Sequence, residues 1–188
     1  NNPQIESGEV FFCNYSSAFR NKRKKYKGIN SGYFPTTFTT SGLIEILKKG
    51  HAITTGFFGK VDHFGFPKTD TPHWKSSRLL IIDCDNRSLI DLNKDPFVKQ
   101  YALCIYATPS SKPENPRSRA IFLLDTPITD IEQYKEPTAS LALYTLSHRE
   151  PDPNATKLTQ RVYGASGTYF IERPENILPL FVMKHQVT

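Results

Sequence analysis

Cysteine is scarce in this chain, with three residues among 188: Cys13, Cys84 and Cys104. They are too few and too scattered for a disulfide framework, and none forms a C-x-x-C pair, so a stapled secreted module and a cysteine zinc site are both excluded. A reducing cytoplasm is the compartment that fits. No apolar run reaches membrane-spanning length, and residues 1–9 are polar, without the basic-then-apolar layout of a signal segment. No internal repeat is visible. The chain neither opens on methionine nor closes on a clear stop, and it is expected to be one domain of a longer polypeptide.

Hydrophobic residues at 38% and aromatics at 12% indicate a globular protein, one domain or one domain with an appendage. The formal net charge is +6, and the pI is near 9.2. That balance favours an acidic partner, of which nucleic acid or nucleotide phosphate is the commonest, without identifying it.

The stretch around which the rest is organised is Arg78-Leu79-Leu80-Ile81-Ile82-Asp83-Cys84-Asp85-Asn86. Its four aliphatic residues in a row suit a strand buried on both faces, closed by a turn at Asn86. Side chains alternate along a strand, so Asp83 and Asp85 point to one side and Cys84 to the other. Two carboxylates held that close repel, and a divalent cation is the usual relief. The competing reading is a polar turn begun by Asp85-Asn86, with Asp83 bonded to backbone.

Along the chain, residues 9–15 read as a first strand. The basic run Arg20, Lys22, Arg23, Lys24 and Lys25, bracketed by Phe19 and Tyr26, is either a solvated loop or a nucleic-acid contact. Residues 41–49 form a helix with Ser41 as N-cap and Gly50 as its end, followed by a strand over 51–58 and a loop over 59–73. In that loop His63 and His73 are isolated, and Trp74 after it is either a base-stacking ring or core. A helix is expected within 89–100, strands at 101–107 and 120–124 joined as an antiparallel hairpin, and a stop at Asp125-Thr126-Pro127. A helix over 131–146 and short strands at 159–164 and 168–171 complete the pattern. The order strand, helix, hairpin, helix, strand is that of an α+β sheet of the RNA-recognition-motif (RRM) or split βαβ kind, with an additional amino-terminal unit.

Residues 74–164 resemble the archaeo-eukaryotic primase superfamily, in particular the primase-polymerase-like domains of phage and plasmid replication proteins. Three segments carry the resemblance. Leu79-Leu80-Ile81-Ile82-Asp83-Cys84-Asp85 is similar to that superfamily's hydrophobic strand with D-x-D. Residues 105–111 with 116–124 are similar to the hairpin where members place a Ser-x-His and basic nucleotide-binding residues; Ser110-Ser111-Lys112 contains no histidine. Asp152, with Lys157 and Arg161-Val162-Tyr163-Gly164, is similar to the segment that supplies a third carboxylate.

The resemblance implies an RRM-like mixed or antiparallel sheet with flanking helices over 74–188, and 1–73 as an accessory α/β unit of the same catalytic domain. It implies a template-dependent primase-polymerase using NTP or dNTP and two Mg2+ or Mn2+ ions. Asp83, Asp85 and Asp152 are then the metal-binding catalytic carboxylates, hard oxygen donors of the kind those cations prefer. Ser110, Ser111, Arg119, Lys157 and Arg161 are the nucleotide-binding candidates. Arg20, Lys22, Arg23, Lys24, Lys25 and Lys75 are the candidates for binding a single-stranded DNA template and primer. Asp125 is a rival third acid, set in an ordinary turn context. A helicase, in the same longer chain or in trans, is a further expected partner.

The alternative is a non-catalytic single-stranded nucleic-acid-binding domain of RRM-like fold, with Tyr106, Phe122 and Tyr163 as stacking aromatics. Paired carboxylates speak against it, because they repel phosphate unless a cation intervenes. A rolling-circle initiator nuclease ranks lower, since the chain has no His-hydrophobe-His pair.

Overall fold

The computed structural model describes residues 11–19, 33–59, 70–134, 158 and 160–184. In chain order these form β1 (Phe11–Phe19), β2 (Phe34–Phe38), helix α1 (Thr40–Lys48), β3 (His51–Thr54), β4 (Gly56–Phe58) and a 3-10 turn at Thr71–His73. There follow β5 (Trp74–Asp85), α2 (Leu89–Lys94), α3 (Pro96–Tyr101), β6 (Ala102–Ala107) and β7 (Arg117–Ile128). The last described elements are β8 (Arg161–Tyr163), β9 (Phe170–Glu172) and α4 (Leu180–Lys184). They build two sheets, ordered β2-β1-β3-β8 and β4-β5-β7-β6-β9. Every neighbouring pair is antiparallel. The fold class is therefore α+β, and strands from both sides of residue 73 enter each sheet.

The aliphatic run explains why the second sheet is buried on both faces. Leu80, Ile82 and Cys84 face a cluster with Leu92, Val98, Ile105 and Phe122. Leu79 and Ile81 face the opposite cluster, with Leu43, Leu47, Ile53, Tyr106 and Val162 from α1, β3, β6 and β8. Full burial of each such side chain is worth about 1.5–3 kcal/mol, so packing on two faces fixes β5. Asp83 and Asp85 continue the row of Leu79 and Ile81, on the side of the first sheet.

Several boundaries depart from the sequence reading, each for a local reason. The N-cap of α1 is Thr39 and not Ser41, its hydroxyl accepting the Gly42 N–H at 3.0 Å. The strand expected over 51–58 divides at Thr55 between the two sheets. Thr55 N–H donates to the Gln160 carbonyl at 3.1 Å, and its own carbonyl accepts from the Ser77 hydroxyl at 2.7 Å. The single helix expected within 89–100 is two, because Pro96 lacks an N–H and holds Asp95 extended (φ −64°, ψ 122°). The Asp95 carboxylate then caps α3 by accepting from Phe97 and Val98 N–H.

Strand β7 is not stopped at Asp125-Thr126-Pro127. The proline falls where the β5–β7 register breaks between Ser77↔Ile128 and Leu79↔Leu123, so its missing N–H costs no ladder bond. Of the helix expected over 131–146, residues 131–134 are helical and the remainder lies outside the described residues. Among the described residues no helix is long and apolar enough to cross a membrane.

Candidate active site

The register of β5 on β7 places Asp83 opposite Arg119 and Asp85 opposite Arg117. Directly opposed residues of an antiparallel pair project to the same face, so a D-x-D on one strand meets an R-x-R on the other. The four side chains line a cavity of about 240 Å3 together with Thr108, Ser110 and Tyr163. Beyond Asp85 the chain turns through Asn86 in the left-handed region (φ 61°), a conformation that asparagine tolerates better than most residues. The Ser118 hydroxyl donates to the Arg87 carbonyl at 3.0 Å and holds that turn against β7.

The two acids differ in environment. Arg119 donates to both oxygens of Asp83, Nε to Oδ1 at 2.5 Å and Nη2 to Oδ2 at 3.0 Å. With side-chain exposures of 13% for Arg119 and 31% for Asp83, this is a largely enclosed fork-to-fork pair. Asp85, 64% exposed, has a single 3.3 Å contact from Arg117 Nε.

Arg119 is held on its far side as well. Its Nη1 donates to the Tyr163 carbonyl at 3.0 Å and lies 3.4 Å from the Tyr106 hydroxyl. Tyr106 donates to that same carbonyl at 2.9 Å, and its ring stacks on Phe170 with centroids 4.4 Å apart. Burial pushes the Tyr106 phenol up to about 12, with Arg119 pulling the other way, so it remains a donor. For Arg119 burial works against the charge, but Tyr106 and Asp83 outweigh it and raise the guanidinium's pKa.

The Tyr163 carbonyl owes its place to Gly164. A Cβ at Gly164 would lie 2.1 Å from the Leu47 carbonyl oxygen, and the backbone there bonds to the end of α1 through Ala165 N–H to Leu47 O at 2.9 Å. Only a glycine lets β8 approach α1 so closely.

Of the sequence candidates, Asp83, Asp85, Ser110 and Arg119 come together in this cavity. Ser111 turns from it, its hydroxyl accepting the Arg117 N–H at 2.9 Å. Arg161 lies on β8, its guanidinium 5.2 Å from the centroid of the Tyr33 ring, and is not among the cavity's lining residues. Burial, and the neighbouring Tyr163, raise the pKa of that Tyr33 phenol. Lys75 is exposed near the start of β5, eight residues and roughly 26 Å of strand from Asp83. Asp125 stands at the other end of β7 from Arg119 and accepts the Leu180 N–H at 3.0 Å, so it caps α4. Asp152, Lys157, Arg20, Lys22, Arg23, Lys24 and Lys25 lie outside the described residues.

Two of the three proposed stacking aromatics are unavailable to a base, since Tyr106 and Phe122 are both fully buried. Trp74 is core too, edge-on to Tyr134. Sequence reasoning passed over Arg117 and Thr108. The signal for Arg117 was present in the alternation Arg117-Ser118-Arg119, which mirrors Asp83-Cys84-Asp85.

The donor set suits a hard divalent cation: two carboxylates on one strand face, with the hydroxyl-bearing Thr108 and Ser110 also lining the cavity. Among the described residues no three metal-ligating His, Cys, Asp or Glu side chains cluster.

No family model and no curated protein sequence matches the chain. A solved structure does: the AEP domain of the cyanophage S-2L primase-polymerase (PrimPol), with a TM-score of 0.52 over 95% of this chain and 89% of that one. Identity is 9%. At that identity the likeness is one of fold, and the fold is that of an AEP domain.

Proposed function

We propose that this chain is a template-dependent primase-polymerase, transferring a nucleotide from an NTP or dNTP to a 3′-hydroxyl in replication or repair. The observation that carries the reading is the carboxylate pair at the end of β5 facing an arginine pair on β7 across a hydroxyl-lined cavity. The AEP-like fold supports it. We read the β5, α2–α3, β6–β7 portion as RRM-like and residues 1–73 as its accessory unit.

Asp83 and Asp85, with Asp152 as third ligand, would hold two Mg2+ or Mn2+ ions. When bound, such ions lower the barrier to attack by a hydroxyl and to departure of pyrophosphate. In the transfer, the 3′-hydroxyl gives up its proton to water, its oxygen forms a bond to the α-phosphorus, the bond from that phosphorus to the bridging oxygen of the β-phosphate breaks, and pyrophosphate leaves.

The chain's own groups divide the remaining work. Arg119, fixed by Tyr106 and the Tyr163 carbonyl, orients Asp83 and lends positive charge to the wall that meets the triphosphate. Arg117, more exposed and with one long contact, is the arginine best placed to turn toward a phosphate oxygen. Ser110 offers a hydroxyl, and Lys157 and Arg161 are further candidates for neutralising phosphate. The basic run from Arg20 to Lys25 would track a template strand.

The direct test is incorporation of labelled nucleotide on a single-stranded template with Mg2+ or Mn2+, with and without a primer. Incorporation in the primer-free reaction identifies a primase, and incorporation with primer alone identifies an extending polymerase. Tight strand binding without incorporation favours the non-catalytic binding domain.

A further inference from the structure

With two carboxylates and two guanidiniums in its lining, the acid cavity is already balanced in formal charge. The balance is unevenly made. Asp85, 64% exposed, meets Arg117 in one contact of 3.3 Å and stays largely open to solvent. Asp83 has both oxygens taken by Arg119, through Nε at 2.5 Å and Nη2 at 3.0 Å. A carboxylate offers about four lone-pair sites, so a fork on both oxygens leaves about half of them, all beside a fixed positive charge.

The fold holds Arg119 from withdrawing. Its Nη1 donates to the Tyr163 carbonyl at 3.0 Å, and the Tyr106 hydroxyl donates to that carbonyl at 2.9 Å. Tyr106 is fully buried and stacked on Phe170, so the far side of the guanidinium is anchored in the core. With 13% of its side chain exposed, little water screens the charge. A cation reaching Asp83 must therefore break the fork or bind beside it. Breaking the fork strands two enclosed donors. Binding beside it sets like charges about 5 Å apart, which even at the dielectric of water weakens the hold on a divalent ion by roughly tenfold.

On the nucleotidyl-transfer reading of the cavity, on which this rests, we propose that Arg119 is a built-in competitor of the metal at Asp83. The guanidinium stands where a cation would draw on that carboxylate, and it sets a low metal affinity for the cavity when no nucleotide is present. Arg119 acts here as a positioning residue, through Asp83. Asp85, with its one long contact, is the carboxylate left accessible to the ion.

The test is direct Mn2+ binding, read from the electron paramagnetic resonance signal of free Mn2+ without nucleotide or template. The proteins are the parent, Arg119→Met, Asp83→Asn, the Arg119→Met/Asp83→Asn double variant and Tyr106→Phe, each checked for folding by its unfolding midpoint. We expect Arg119→Met to bind Mn2+ roughly tenfold more tightly than the parent or better. Because the arginine acts through Asp83, that gain is expected to vanish in the Asp83→Asn background, to within about twofold. Tyr106→Phe loosens the anchor by one neutral hydrogen bond and is expected to tighten Mn2+ by about two- to tenfold. That variant decides the matter if Arg119→Met does not fold. Unchanged or weaker binding by Arg119→Met, or by Tyr106→Phe in its place, overturns the competition; so does a gain that persists without Asp83, or the absence of binding in every protein. Nucleotide incorporation by the parent is scored separately. Incorporation without the expected gain contradicts the competition alone, and the expected gain without incorporation contradicts the transfer reading and leaves the competition standing.

Discussion

Asp83 and Asp85 share a strand face but not an environment, and substitution separates their roles. Replacing Asp83 removes the partner of an enclosed guanidinium, so Asp83→Asn is expected to lose synthesis and also about 1–3 kcal/mol of stability in denaturant unfolding. Asp85 is exposed with one long contact, so Asp85→Asn is expected to lose synthesis while stability changes by less than about 0.5 kcal/mol. If Asp85→Asn instead synthesises at the parent rate, that carboxylate is outside the chemistry. Arg117→Ala is expected to raise the triphosphate KM by roughly tenfold with a smaller effect on kcat, since a charge-assisted contact is worth about 1.5–3 kcal/mol. An unchanged KM removes Arg117 from the triphosphate.

Buried groups of another kind are expected to weaken the fold at alkaline pH. Burial pushes the Cys84 thiol from 9.0 up to about 12, with Arg87 opposing, and the Tyr106 phenol from 10.0 to about 12. A group whose folded pKa is raised contributes stability that is complete below the unfolded value and is lost as pH rises through the folded one. Stability carried by these groups is therefore expected to hold up to about pH 9 and to fall between about pH 9 and 12, read by unfolding midpoints across that range. Labelling of Cys84 by a thiol reagent in the folded protein at neutral pH would contradict that burial.

At the scale of elements, β8 is three residues long yet fixes the arginine that holds Asp83. Gly164→Ala forces a Cβ onto the Leu47 carbonyl, and overpacking of this kind costs about 1–3 kcal/mol. Because the adjoining Tyr163 carbonyl must move with it, nucleotide incorporation is expected to fall as well. A Gly164→Ala protein of parental stability and activity would show that β8 does not govern the site.

What was legible in the sequence follows the same division. Strand β5 and the common side of its two acids were readable, because four aliphatic residues in a row admit few structures and side-chain alternation is geometric. The hairpin of β6 and β7 was readable for a similar reason. The splitting of 89–100 was written in Asp95-Pro96, a capping residue before a residue that cannot donate. The division of 51–58 between sheets was not legible, since it depends on Ser77 and Gln160, distant in sequence. Nor was the pairing of Asp83 with Arg119, which is set by cross-strand register and not by either motif alone.

For the whole molecule, the buried face of α1 packs into a cluster shared by the two antiparallel sheets, and β8 of one lies beside the acid end of the other. The fold likeness to an AEP domain extends over nearly all of the chain, whereas the described side chains of the candidate site come from β5, β7, β8 and the loop between β6 and β7. The most direct test compares the parent with Asp85→Asn, whose fold is expected to be undisturbed, in labelled nucleotide incorporation on a single-stranded template with Mg2+ or Mn2+. The account predicts incorporation by the parent and none by the variant at equal stability. Equal incorporation by the two would contradict the assignment of the β5 carboxylates as the site of nucleotidyl transfer.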